Sequence, residues 1–209
     1  MGEAMKYIIM CGGPRSDKPL RIIQNESIIE RTIRLLRENG ITDIAISSND
    51  ERYNLIGVPV LHHDNPLTWE DWYWLRAFYP TEDPVCYIFG DVFFSPEAIQ
   101  TIVNTETEDI EFFASAPPFD KSYIKRWAEP FAFKVQNTEH FRAALKTVKE
   151  WDALGHFDRR PPISWELWAT IKHTALNKPD YTTYTVINDY TVDIDNDEQA
   201  QAIIDRGIS

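Results

Sequence analysis

Residues 8–20 read IIMCGGPRSDKPL, and the fold turns on how that stretch is read. An apolar run ends in two glycines, and Arg15 and Lys18 follow closely. Residues 6–11 have the length and apolar continuity of a buried strand, and the glycines mark its end. Downstream, Ser27 and Glu30 stand at capping-box spacing. Ile28, Ile29, Ile33, Leu35 and Leu36 form one apolar face behind that cap, and Gly40 is placed to end the helix. Residues 43–48 (DIAISS) read as a second strand. Strand, loop, helix, strand is the βαβ unit of a parallel sheet.

The same alternation continues outward. Residues 58–61 read as a weak strand, 69–79 (WEDWYWLRAFY) as an aromatic helix, and 85–89 (VCYIF) as a buried strand. Ser95-Pro96-Glu97 opens a helix with a cap, an N1 proline and an acid in the first turn. Strands are expected at 111–116 and 131–135, helices at 138–151 and 164–172, and late strands at 182–187 and 190–194. A last helix is capped by Asn196 with Gln199 three residues on. Such alternation argues for α/β with a mostly parallel sheet, and such sheets bind ligands at the carboxyl ends of their strands. Pro117-Pro118 and Pro161-Pro162 read as loop breaks, which leaves one domain over residues 5–209. Residues 1–4 read as a leader or cloning remnant.

Composition narrows the chemistry. The 209 residues are 43% hydrophobic and 13% aromatic, enough for a sizeable core. The formal charge is -12, from 33 acids against 21 bases. No nucleic-acid partner is expected, since that needs a basic face, and anionic membrane surfaces are disfavoured likewise. No segment reads as a signal peptide or membrane span. Two cysteines, Cys11 and Cys86, show neither a disulfide framework nor zinc spacing, so a reducing, cytoplasmic setting is expected. Nothing in the sequence sets the oligomeric state.

In so acidic a chain, positive groups gathered at 12–21 suit a small anion. Glycines let backbone N–H groups approach a phosphate, Arg15 offers a planar fork of donors and Lys18 a point charge. The stretch matches neither the P-loop nor the G-x-G-x-x-G spacing, and spacing alone fits a surface turn with two solvated bases slightly better, since Gly-Gly-Pro is common turn chemistry. Lys18 follows that turn and is expected outside the core.

Two further strand ends carry acids. YIFGDVFF (87–94) puts Asp91 just past a buried strand, a position also common for turn residues. In YTVDIDNDEQAQAI (190–203), Asp193 and Asp195 alternate with apolar neighbours and would share one face of a strand. Two such carboxylates repel unless a cation or a basic group separates them. His62-His63 has no third ligand at zinc spacing and reads as a polar loop pair.

These features together resemble the nucleotidyltransferases of the sugar-phosphate and choline-phosphate type. That family opens with a strand, a Gly-rich loop carrying an Arg, and then P-K-x-L before a helix; this chain has MCGGPR, DKPLRII and a helix ending ENGITDIAI. The loop is shortened here, and Asp17 replaces the customary proline before Lys18. The pattern is most similar to the phosphocholine cytidylyltransferase branch. The resemblance implies a single Rossmann-like, three-layer α/β/α domain (GT-A type) with a mixed, mostly parallel sheet. It implies Cys11, Gly12, Gly13, Arg15 and Lys18 at the nucleotide, with Arg15 and Lys18 catalytic. It implies Mg²⁺ on Asp91 and Asp195, with Asp193 as a further acid.

The implied reaction joins an NTP, CTP favoured, to a small phosphorylated acceptor with release of pyrophosphate. The acceptor phosphate is already largely dianionic at neutral pH, its second pKa being about 6. No general base is then needed. Two rivals share the architecture: a sugar-nucleotide-dependent glycosyltransferase and a non-catalytic nucleotide-binding regulatory domain. For the acceptor, Trp69 and Trp72 on one side of the expected helix, with Trp165 and Glu166 in PPISWELW (161–168), have the composition of a cage for a cationic amine. Core packing explains the same aromatics equally well.

Overall fold

The N-terminal strand β1 (Lys6–Met10) takes the middle of the sheet because both of its faces are apolar: Tyr7, Ile8, Ile9 and Met10 are all buried. Such a strand needs neighbours on both edges and helices above and below. The computed structural model, which describes residues 5–63, 65–66, 73–118, 128–157, 160–176 and 180–208, supplies both.

After the first loop comes a small hairpin, β2 (Ile22–Ile23) and β3 (Glu26–Ser27). Its two-residue turn puts Gln24 at φ 57° and Asn25 at φ 95°. No Gly marks the turn, so no local signal in the sequence announces it. Helix α1 (Ile28–Glu38) starts at the expected capping box, with Ser27 Oγ accepting from the Glu30 N–H and the Glu30 carboxylate accepting from the Ser27 N–H. Gly40, at φ 80°, ends it in a conformation that disfavours side chains.

The chain then runs through β4 (Ile44–Ser47), β5 (Val60–Leu61), β6 (Val85–Phe89), β7 (Val92–Phe93), α2 (Pro96–Asn104), β8 (Ile110–Ala114) and β9 (Pro130–Val135). It ends with α3 (Thr138–Ala153), α4 (Ser164–Ile171), β10 (Thr185–Val186), β11 (Val192–Asp193) and α5 (Asp197–Asp205). Among the described residues the main sheet has seven strands in the order β10-β8-β9-β6-β1-β4-β5. β5, β4, β1 and β6 are parallel, β9 runs antiparallel to β6 and β8, and β10 is parallel to β8.

Alternation along β9 fixes the layers. Phe133 meets Phe141 of α3 at 5.7 Å and Trp168 of α4 at 6.3 Å between ring centroids. The next residue, Lys134, points the other way, to the end of α2. Helices therefore cover both faces, and the expected three-layer α/β/α fold with a mixed sheet is observed.

The late strand expected at 190–194 is present as Val192–Asp193 and lies outside the main sheet. β11 pairs antiparallel with β7 in a ribbon of its own, Val192 opposite Phe93 and Asp193 opposite Val92. A second, small core of Ile23, Ile28, Phe93, Val192, Ile194, Ala200 and Ile203 holds this ribbon to the hairpin, α1 and α5. The helix expected at 69–79 is corrected over its described part, 73–79. Residues 69–72 lie outside the described residues, Tyr73 is extended, and only Trp74–Ala77 turns, as a 3₁₀-helix. Asn65 bonds both backbone groups of Tyr73, at 3.1 and 3.2 Å, so that residue is held as in a strand.

Lys134 is buried, and its Nζ donates to the carbonyls of Ile102, Val103 and Thr105 at 3.1, 2.8 and 2.7 Å. Burial lowers its pKa, while the acceptors at the helix end satisfy its charge. Lys134→Met keeps the volume and removes every donor. Urea unfolding should show a loss of about 1–3 kcal/mol, the cost of buried acceptors left unmet.

Candidate active site

The ends of β1 and β6 are drawn together closely. The Gly90 N–H donates to Met10 O at 3.0 Å, and a Cβ on Gly90 would fall 2.6 Å from that oxygen and 2.5 Å from Cys11 Sγ. Gly12 is equally confined, since a Cβ there would lie 2.3 Å from Nε2 of His63. Gly13 then turns at φ 86°. Successive tight turns follow, Ser16 N–H to Gly13 O at 3.2 Å and Lys18 N–H to Arg15 O at 3.1 Å. Pro19 helps set the short 3₁₀-turn Lys18–Leu20. The loop is anchored from outside: Ser16 Oγ donates to Asp50 at 2.8 Å, and the Tyr53 hydroxyl donates to Ser16 O at 2.5 Å.

Those turns send Lys18 inward. Its side chain is only 8% exposed, against the sequence expectation that it lies outside the core. Nζ donates to Asp91 Oδ2 at 3.0 Å and to Asp195 Oδ1 at 2.6 Å, and stands 3.8 Å from Asp193 Oδ1. Arg15, more than half exposed, donates to the same Asp195 oxygen at 3.0 Å. The acids arrive from different places. Asp91 follows β6 and Gly90. Asp193 ends β11, its N–H bonded to Glu129 at 3.1 Å. Asp195 precedes the Asn196 cap, its N–H bonded to Gln199 at 2.6 Å. The ribbon joins the two sets, with the Ile194 N–H donating to Asp91 O at 3.0 Å.

Burial and charge act together on these groups. Burial alone would lower the Lys18 pKa, but Asp91, Asp193 and Asp195 outweigh it and hold the ammonium charged. Burial, then the charge of Asp91, raises Asp193 well above the usual carboxylate range, and Lys18 offsets part of this. Asp193 Oδ1 is buried and accepts no hydrogen bond among the described residues. A proton, or a hard cation in its place, would meet that oxygen, and Asp91 and Asp195 stand beside it as two further carboxylates. Among the described residues no three His, Cys, Asp or Glu side chains form a ready ligand set. The place between Asp91 and Asp195 is taken by Lys18 Nζ.

These groups open on a cleft of about 260 Å³. Cys11, Gly12, Arg15, Lys18, Asp91 and Asp193 form its polar side, and Trp74, Ala77 and Phe89 its apolar side. Trp74 stacks on Phe89 at 5.5 Å between centroids. Cys11 supplies bulk only, because burial pushes its thiol far up in pKa. A larger cavity, about 1010 Å³, lies beyond the 74–77 turn against α3, floored by Phe78, Tyr87 and Phe141. Among the described residues its lining carries one carboxylate, Glu150, paired with Lys146 at 3.8 Å, whereas the smaller cleft adjoins three carboxylates around one buried lysine.

Not every expected residue arrives here. Trp69 and Trp72 lie outside the described residues. Trp165 packs on Phe112 at 5.2 Å and Tyr184 at 5.7 Å. Glu166 accepts from Arg160 at 2.9 and 3.1 Å and from the Ile163 N–H at 2.8 Å, which caps α4. Neither residue lines the cleft. Trp74 lines the cleft, His63 packs against Gly12 and Glu129 holds the Asp193 N–H, and nothing local in the sequence assigns these places. The aromatic richness around Trp74 and the His62-His63 pair are the only hints.

No family model and no curated protein matches the chain. Solved structures do. A 4-diphosphocytidyl-2C-methyl-D-erythritol synthase of Anaerococcus prevotii aligns with a TM-score of 0.60 at 12% identity, over 98% of this chain and 96% of its own. A protein of Bacillus anthracis assigned as a glucose-1-phosphate thymidylyltransferase gives 0.56 at 16%, over 99% and 97%. A CTP:phosphocholine cytidylyltransferase of Streptococcus pneumoniae gives 0.57 at 15%, over 97% and 98%. At such identities the likeness is one of fold, and it extends over the whole chain in each case. Among the described residues no helix is long and apolar enough to cross a membrane.

The anchor of the first loop has a pH signature. The Arg52 guanidinium holds the Asp50 carboxyl down to about 2, with burial opposing and the Ser16 hydroxyl adding to it. A depressed carboxyl stabilises the fold fully above its ordinary value of 3.8, and that share is lost as pH falls toward 2. With water around the exposed Arg52 taken into account, the share is about 1 kcal/mol. Asp50→Asn should therefore lower the urea midpoint at pH 7, with the gap to wild type narrowing between pH 4 and 3.

Proposed function

We propose that this chain is a Mg²⁺-dependent nucleotidyltransferase that joins an NTP, CTP first, to a small phosphorylated acceptor and releases pyrophosphate. One observation carries the reading: a buried lysine and an arginine from a Gly-rich loop meet three carboxylates at the ends of β1 and β6. The place is where an α/β sheet binds ligands. Three enzymes of like fold bear names of cytidylyl or thymidylyl transfer, two of them cytidylyl, which supports both the class and the choice of CTP.

The chemistry asks little of the protein beyond positioning and charge. An acceptor phosphate oxygen attacks the α-phosphorus, the bond from that phosphorus to the bridging oxygen breaks, and pyrophosphate leaves with the electron pair. The acceptor is a dianion and no proton need be removed. Gly12 and Gly13 offer backbone donors to the phosphates, and Arg15 and Lys18 offset the charge that builds on the leaving group. Asp91 and Asp195, with Asp193 beside them, are the residues that would hold Mg²⁺, which when bound neutralises oxygens of the reacting phosphates. Trp74 and Phe89 give the cleft a dry wall. The cationic-acceptor cage is not part of the proposal, since Trp165 and Glu166 are engaged elsewhere.

Pyrophosphate release with each of four NTPs, against phosphocholine, phosphoethanolamine and several hexose 1-phosphates, tests the reading directly. Turnover with at least one pair is expected. Asp91→Asn, Asp195→Asn and Arg15→Ala should each slow it by about 10²–10³-fold, as the loss of one charge-stabilising group does elsewhere. No pyrophosphate from any pair, or full activity in Asp91→Asn, would overturn the assignment.

A further inference from the structure

The geometry points to a second duty for Lys18: without ligands, its ammonium group stands in for the divalent cation, which enters only as Lys18 leaves. The inference rests on the nucleotidyltransferase reading for the cation's identity, and adds how the site is gated.

Lys18 Nζ touches Asp91 Oδ2 at 3.0 Å and Asp195 Oδ1 at 2.6 Å at once. A cation held by those carboxylates would compete with the ammonium for the same two oxygens and would be repelled by its like charge. Nor does Lys18 leave alone. Its departure would abandon three partly buried carboxylates to mutual repulsion, one of them already short of a partner at Oδ1. An incoming divalent cation meets that need with its own charge.

The released ammonium needs an anion, and the cleft leads it toward Arg15 and the backbone N–H groups of the glycine loop. A triphosphate at that mouth supplies the anion. The exchange then balances: the divalent cation neutralises the carboxylates, and Lys18 neutralises the phosphates. Cation and nucleotide each favour the other's entry, and such coupling acts equally in both directions. The free cation, with no phosphate present to draw Lys18 out, must bind weakly.

The test uses Mn²⁺ alone, without nucleotide, titrated by electron paramagnetic resonance and calorimetry into the full chain. Lys18→Met removes the charge at similar volume, and Lys18→Gln also keeps an N–H donor for the carboxylates should the first variant fold poorly. Both variants should bind Mn²⁺ about tenfold or more tightly than wild type does. Their Tm should also rise with Mn²⁺ more than that of wild type. Asp195→Asn added to Lys18→Gln should return binding to the weak level, which locates the ion. Unchanged or weaker Mn²⁺ binding in both variants overturns the inference. So does failure of both to fold even in Mn²⁺, for the ion would then be unable to take the lysine's place. Pyrophosphate release by the wild type is scored separately. Tight Mn²⁺ binding in the variants with no turnover in the wild type would sink the enzymatic reading and leave the placeholder standing. Turnover with no change in Mn²⁺ binding would do the reverse.

Discussion

A single buried ammonium group, that of Lys18, ties three distant pieces of chain together: the loop after β1, the end of β6 and the segment that follows β11. A charge taken out of water is costly unless it is met at close range. Two carboxylates in contact and a third nearby meet it here. Much of the local architecture follows from that demand. The loop must turn tightly enough to aim Lys18 inward, which Gly13 and Pro19 serve. The strand ends must approach closely enough to place Asp91 beside it, which only a glycine at position 90 permits.

The β7–β11 ribbon completes the cluster. It is short, and its pairing alone would hold little. Its strength comes from side chains beneath it: Phe93, Val192 and Ile194 pack with Ile23 and Ile28 on one side and with α5 on the other. A small core apart from the main sheet thus fixes Asp193 and Asp195 against Asp91. The site is built from loops, but each loop is clamped by an apolar cluster or by a partly buried polar bond, such as the one the Asp193 N–H donates to Glu129.

The aromatics show how the same residues satisfy competing demands. Phe78, Tyr87, Phe133 and Phe141 pack ring to ring between the sheet and α3. Trp165 joins Phe112 and Tyr184 in the same way. Most of the aromatic content therefore fills the core. Trp74 reaches the cleft because residues 73–77 do not continue a helix. Asn65 occupies the backbone groups of Tyr73 that a helix would use, and Pro80 ends any continuation soon after.

The sequence by itself determined the α/β alternation, the two capping boxes at α1 and α5, the proline start of α2 and the central strands β1 and β6. All of these rest on local signals, period and cap, that act within one or two turns of chain. It also marked Arg15, Lys18, Asp91, Asp193 and Asp195 as the charged residues at strand ends. Their meeting was decided by tertiary structure alone. Asp91 and Asp193 are about a hundred residues apart in the chain, and the strands that join them are two residues long, too short to carry any periodicity. The burial of Lys18, the hairpin at Gln24-Asn25 and the place of Trp74 escaped for the same reason. Each depends on what a distant segment brings to it, and a side chain's surroundings are not written in its neighbours along the chain.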